Sequence, residues 1–243
     1  MRQTHLDEIY NRIRAIDMLK ILKKRYTYDH LAKLTNLPIT VLNRYIKGHV
    51  LPSADRANEL LKVFKKKFDI KNEINERIKW NKDGYFNNTD LVCDTLLLKL
   101  IANMIAMKYQ NQKITKILTV ATDGIPVSTY VAGELGVNLA LAKKNREAGV
   151  AKFYEEDYSH RASGVIQTLY IPKSELTSKD FVLIVDDIIR SGVTQSALVK
   201  LVKKTGATLV GIFAIVSIGK LWQKEIKAVT ERIPDFLVNV PEP

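Results

Sequence analysis

"VLIVDDIIRSGVT", Val182 to Thr194, runs four apolar residues straight into two adjacent carboxylates and then into a small, hydroxyl-bearing turn. The run Val182–Val185 is short, rich in β-branched residues and free of polar alternation, the pattern of a central strand covered on both faces. After Thr194, "QSALVKLVKKTG" repeats apolar residues at Ala197, Leu198, Leu201 and Val202, with Gly206 as the stop, so a helix starts at the turn. In open parallel sheets ligands bind beyond the carboxyl ends of strands, which places Asp186 and Asp187 at a ligand edge. The residues that follow, Ile188, Ile189, Arg190, Ser191, Gly192, Val193 and Thr194, offer free backbone N–H groups, the positive end of a helix dipole and two hydroxyls. Together they form a phosphate cradle. The acids suit sugar hydroxyls, so the stretch fits a phosphorylated ribose, with its diol on Asp186 and Asp187 and its 5-phosphate in the turn.

Outward from this stretch the chain alternates strands and helices. A helix over Asp94 to Tyr109 precedes strand "KILTVA", loop "TDGIP", helix "VSTYVAGELG" and strand "NLALA". Further strands are expected at Val165–Ile171, Phe181–Val185, Thr208–Ile218 and Phe236–Val240. This is the signature of an α/β domain with a parallel sheet flanked by helices. "VATDGIPVS" closes one strand and opens a helix; the peptide groups of Ala121, Thr122, Asp123, Gly124 and Ile125 can wrap an anion there, or form a plain turn.

The 243 residues allow one large domain or a medium domain with a small one. With 46% hydrophobic and 26% charged residues the composition is that of an ordinary globular protein, and no apolar run approaches the length of a membrane span. No membrane partner is expected. The amino terminus is charged throughout, unlike a secretory signal. Cys93 stands alone, which excludes an intrachain disulfide or a cysteine metal cluster and makes a reducing cytoplasm the natural compartment. The net charge of +12 is unevenly spread: residues 1–79 hold 18 Lys+Arg against 9 Asp+Glu, residues 80–243 hold 20 against 17. The first third therefore suits a polyanion, most simply nucleic acid, or is a solvated basic face.

That first third reads as helical. Leu6, Ile9, Ile13, Ile16, Leu19 and Leu22 recur at helical spacing; Asp29 or Thr27 can cap a helix through Leu34; Ile39 to Lys47 form another, ended by Gly48; residues 52–68 form a further one capped by Ser53. "DIKNEINERIKWNKDGYFNNTD" is a polar connector. The expected division is a helical domain at 1–70, a connector at 71–84 and an α/β domain at 85–243.

"VLIVDDIIRSGVT" resembles the phosphoribosyl pyrophosphate signature of type I phosphoribosyltransferases, with two departures: Arg190 stands where a small residue is usual, and Val193 where Gly is frequent. The resemblance spans roughly Tyr85 to Pro243 and implies that fold. It also implies that Ala121–Ile125 is the pyrophosphate loop and that Lys143 and Lys144 are either pyrophosphate contacts or solvated lysines. The stretch "NREAGVAKFYEEDYSHRASG" would be the mobile loop, in which His160 and Arg161 can reach a phosphate. Its run Glu155, Glu156, Asp157 suits a departing pyrophosphate poorly. No catalytic residue, metal site or required cofactor is assigned; Mg2+ would accompany bound pyrophosphate, beside Asp123.

"LAKLTNLPITVLNRYIKG" resembles the helix-turn-helix of repressor-like DNA-binding domains, with Leu31, Leu34, Leu37, Val41, Leu42 and Ile46 joining two helices and Thr40, Asn43, Arg44 and Lys47 offered to double-stranded DNA. A basic dimerisation or capping module is the alternative. Both resemblances together are similar to helix-turn-helix/phosphoribosyltransferase-like transcriptional regulators, the archaeal group and the bacterial purine repressors. That similarity implies a homodimeric regulator sensing phosphoribosyl pyrophosphate, a nucleotide or a related sugar phosphate. The other reading is an active nucleobase phosphoribosyltransferase.

Overall fold

The computed structural model describes residues 5–82, 84, 86–159 and 164–242, apart from the side chains of Asp7 and Lys67. The chain divides into two compact units, Met1–Glu73 and Ile74–Pro243.

The first unit is helical: α1 (His5–Lys23), α2 (Tyr28–Thr35), α3 (Ile39–Ile46) and α4 (Ala54–Lys67), with the short α5 (Ile70–Asn75) at the border. Its core forms where α1 buries Ala15, Ile16, Met18, Leu19 and Leu22, and where Leu31, Leu42, Leu60 and Phe64 are also withdrawn from water. Each of these side chains other than Ala15 contributes about 1.5–3 kcal/mol relative to exposure. Local chemistry sets the helix ends. Thr27 and Ser53 accept hydrogen bonds from the His30 and Arg56 amides, Asn36 adopts a left-handed conformation after α2, and Gly48, at φ 77°, turns the chain after α3.

The second unit begins with a two-stranded ribbon, β1 (Lys79–Trp80) and β2 (Phe86–Asn87), then α6 (Thr89–Val92) and α7 (Thr95–Tyr109). There follow β3 (Lys116–Val120), α8 (Ile125–Leu135), β4 (Asn138–Ala142), β5 (Phe153–Ser159), β6 (Ile166–Pro172), β7 (Phe181–Ile189), α9 (Val193–Thr205), β8 (Thr208–Ile218), α10 (Trp222–Lys227) and β9 (Asp235–Val240). Five strands form one sheet in the order β4-β3-β7-β8-β9, every pair parallel. The chain leaves β3 towards β4 on one side and β7 towards β8 on the other. A crevice therefore opens at the carboxyl ends of β3 and β7, the switch point where open α/β sheets bind ligands.

Alternation along β7 explains why its apolar run is continuous. Val182 and Ile184 join a core with Leu198, Leu201 and Val202 of α9, while Leu183 lies on the other face beside Tyr109 of α7. β7 is longer than its apolar run. Asp186, Ile188 and Ile189 pair with Ala214, Val216 and Ser217 of β8, so the acids lie within the strand and the turn shrinks to residues 190–192.

β5 is a correction: the expected loop is here a strand, paired antiparallel with β6 from Phe153↔Pro172 to Ser159↔Ile166. A single bridge between Lys143 and Tyr170 ties this ribbon to the edge of the main sheet beyond β4. Among the described residues no helix is long and apolar enough to cross a membrane.

Candidate functional site

The crevice is a pocket of about 590 Å³ whose floor is the acid pair. Asp186 and Asp187 are only 4% and 7% exposed. The Asp187 amide donates to Asp186 Oδ1 at 3.1 Å. Gln195, in the first turn of α9, donates through Nε2 to Asp186 Oδ2 at 2.7 Å and to the Ile188 carbonyl at 3.2 Å. Asn88, just before α6, donates through Nδ2 to Asp187 Oδ2. Among the described residues neither acid is paired with a cation. Burial pushes the Asp186 carboxyl well above the usual carboxylate range, and the neighbouring charge of Asp187 pushes further. Asp187 is raised as well, first by burial and then by Asp123 across the pocket.

Two loops close over this floor. Ala121, Thr122, Asp123 and Gly124 leave β3 and enter α8, and the peptide bond between Ala121 and Thr122 is cis. Position 124 has no room for a side chain, because an added Cβ would collide with Asp186 Oδ1 and Thr119 Oγ1. Glycine thus lets the start of α8 lie against the acid pair. On the other side Arg190, Ser191, Gly192 and Thr194 line the pocket at the start of α9. Gly192 has φ 79°, and a Cβ there would come within 2.9 Å of Trp222. Glycine thus lets the turn before α9 pack against Trp222, and the amino end of a helix is where free backbone N–H groups can meet an anion.

The expected site residues sort themselves by position. Ile188 lines the pocket, but Ile189 is fully buried, and Val193 instead lines a separate 330 Å³ cavity with Asp157, Ser159 and Lys200. Ile125 belongs to α8 rather than to the lining. Lys144 lines the pocket; Lys143 does not, its backbone bridging to Tyr170 and its Nζ pairing with Glu147. His160 and Arg161 lie outside the described residues.

The acidic run of β5 is elsewhere. Glu156 is buried against α9 and pairs with Lys200 at 3.2 Å and Lys204 at 2.6 Å; Glu155 pairs with Arg146 at 2.6 Å; Asp157 accepts from Thr168 at 2.7 Å. None lines the pocket, so the expected repulsion of a leaving pyrophosphate by these three acids has no basis here. Sequence reading missed Gln195 and Asn88. Gln195 was within reach of the same local logic, as a polar residue one step beyond the turn, whereas Asn88 lies 99 residues from its partner in a polar connector and sends no local signal.

In the helical unit, three residues join α2 to α3. Thr40, Arg44 and Lys47 are exposed at helical spacing on one face of α3 and at its end, while Asn43 is half-buried and accepts from the Tyr28 hydroxyl at 3.0 Å.

Residues 89–241 match the family model described as "Phosphoribosyl transferase domain". The chain is 28% identical over 145 residues to the probable purine biosynthesis transcriptional regulator PurR of Streptococcus pneumoniae, covering 59% of this chain and 53% of that protein. It thus spans about half the length of that relative. It is 32% identical over 136 residues to the xanthine phosphoribosyltransferase of Pseudomonas fluorescens, covering 55% of this chain and 70% of the enzyme. Among solved structures, adenine phosphoribosyltransferase from Thermoanaerobacter pseudethanolicus superposes with a TM-score of 0.62 at 21% identity, over 69% of this chain and 98% of that one, a likeness of fold.

Proposed function

The chain belongs to the phosphoribosyl transferase domain family, and from that premise we propose that it is a DNA-binding transcriptional regulator whose pocket senses a phosphoribosyl compound. The observation that carries the reading is the union of two sites in one chain. One is a phosphate cradle beside an acid pair; the other is a separate helical unit with a large basic excess and a short helix presenting Thr40, Arg44 and Lys47. Base salvage has no use for the second. Similarity to a purine biosynthesis regulator supports the same union.

In this reading α2 and α3 act as a helix-turn-helix, with α3 in the major groove; Arg44 reads a base edge, Lys47 and Thr40 meet the edge or backbone, and Asn43 is braced by Tyr28. In the pocket the ribose diol donates to Asp187 and Asp186, the 5-phosphate lies on the amides of Arg190–Thr194, and a pyrophosphate group lies between the 121–124 loop and Lys144. Asp123 and Asp187 offer the hard oxygens that Mg2+ prefers. Among the described residues no three ligating side chains gather at one point, so the ion would ride on the ligand's phosphates and supply charge neutralisation there. Ligand alters DNA affinity only if it favours one of two arrangements; a homodimer with two reading helices supplies them, in the cytoplasm where such ligands are made.

The second reading, a nucleobase phosphoribosyltransferase, is favoured by the similarity to xanthine phosphoribosyltransferase and by a pocket that Glu155, Glu156 and Asp157 do not line. One experiment decides. The full chain is footprinted on duplexes selected from a random library, with and without phosphoribosyl pyrophosphate, a nucleoside monophosphate or ribose 5-phosphate, and incubated with labelled donor and each common base. A protected site that changes with ligand, without turnover, is the expected outcome. Nucleotide formation at roughly one per second or faster, with no protected duplex, puts the enzyme in its place.

A further inference from the structure

The charge balance of the pocket leaves one cation unexplained. Three carboxylates, Asp123, Asp186 and Asp187, line it against two cations, Lys144 and Arg190. A phosphorylated ligand adds negative charge to that set, so both cations are needed. Among the described residues Lys144 has no ion-pair partner, but Arg190 is already engaged. Its Nε and Nη2 both donate to Glu242 Oε1, at 2.7 and 2.6 Å, and its guanidinium lies over the Trp80 ring at 5.8 Å. Glu242 follows β9 by two residues, and its other oxygen rests against Gly219.

We infer that Glu242 is a built-in competitor for the ligand: its carboxylate occupies Arg190 at the mouth of the pocket, and an anionic group of the ligand displaces it. Both side chains are about two-fifths exposed, 43% for Arg190 and 37% for Glu242, so the pair is weak enough to exchange. Trp80 holds the guanidinium plane while the partner changes. Arg190 becomes a ligand contact that selects for an anion beyond the phosphate held by the backbone amides. Displacement also releases the segment after β9 from the pocket rim.

The inference rests on the ligand pocket of the proposed function but not on DNA binding, and titration of the full chain tests it. Inorganic pyrophosphate is titrated calorimetrically, at fixed ionic strength, into the unaltered protein, Glu242→Gln, Arg190→Gln and the double variant. Removing the competitor should tighten binding about two- to fivefold, the scale of an exposed ion pair. Arg190→Gln should weaken binding, and the double variant should match Arg190→Gln alone. Unchanged or weaker binding by Glu242→Gln overturns the inference, as does a gain that persists without Arg190; in both cases the pocket itself stands. If neither pyrophosphate nor phosphoribosyl pyrophosphate binds any of the four proteins at millimolar concentration, the pocket assignment falls and the competitor with it. Failure of footprinting alone leaves the inference intact.

Discussion

Two runs of adjacent carboxylates lie on neighbouring parts of the same unit, and the protein treats them in opposite ways. On β5, Glu155, Glu156 and Asp157 are each matched by a side chain on another segment: Arg146, the pair Lys200 and Lys204, and Thr168. On β7, Asp186 and Asp187 are buried as deeply as Glu156, yet among the described residues they accept hydrogen bonds from the neutral amides of Gln195 and Asn88. Buried charge is costly unless paired. The first run is therefore fastening, holding the β5–β6 ribbon to α9. Among the described residues the second has no counter-ion and is kept at a cost, a feature that clusters at functional sites.

This contrast is broken most directly by binding. Asp187→Ala should weaken binding of a phosphoribosyl ligand by about 1–3 kcal/mol, roughly five- to 150-fold, the loss of hydrogen bonds to a charged group. Glu155→Gln should leave affinity within about twofold. Calorimetry on both variants checks this, and equal losses would erase the distinction between the two runs.

Stability sharpens it through sign. The same chemical change, carboxylate to amide, should lower stability at Glu156 and raise it at Asp186, each by about 1–2 kcal/mol at about pH 7.5, read as a fall and a rise in melting temperature. Glu156→Gln removes the buried carboxylate that pairs with two half-exposed lysines; Asp186→Asn removes a charge that burial disfavours. Melting curves that move in the same direction would refute the account.

The smallest effect is in pH. Asp186 and Asp187 are raised above the ordinary aspartate value of about 3.9. Between that value and the raised ones the folded protein holds more protons than the unfolded chain, so their contribution is complete at low pH and is lost as pH rises. The advantage of Asp186→Asn over the unaltered protein should therefore be smallest below about pH 4 and grow as pH rises above it. A pH-independent difference would mean that the carboxyl is not protonated in the folded state.

The sequence carried the elements whose causes are local. β8 occupies Thr208–Ile218 as its apolar run requires, and Thr27 and Ser53 cap the helices that they precede. β5 was illegible for a physical reason. Its inward face carries Glu156 beside Tyr158, and a carboxylate on a buried face contradicts alternation until Lys200 and Lys204 are brought to it by α9, more than forty residues on. Likewise Asp186 to Ile189 read as a turn because polar residues end strands, whereas pairing with β8 carries the strand through them. The acid pair and the turn are features of one short stretch, whereas Asn88 depends wholly on the tertiary fold.

The turn at residues 190–192 is enclosed on both sides by one later part of the chain. Gly192 lies against Trp222, Trp222 meets Phe236 of β9 edge-on at 6.0 Å, and two residues past β9 Glu242 returns to Arg190. The contacts form a closed circuit, and Arg190 and Glu242 are 52 positions apart within it. During synthesis, at roughly 5–20 residues per second, the turn emerges some seconds before the residues that close the circuit. For that interval the acid pair and glycine turn exist without Trp222, Phe236 or Glu242 around them. The site's chemistry is written in one short stretch, but its walls are finished by a strand and tail made much later.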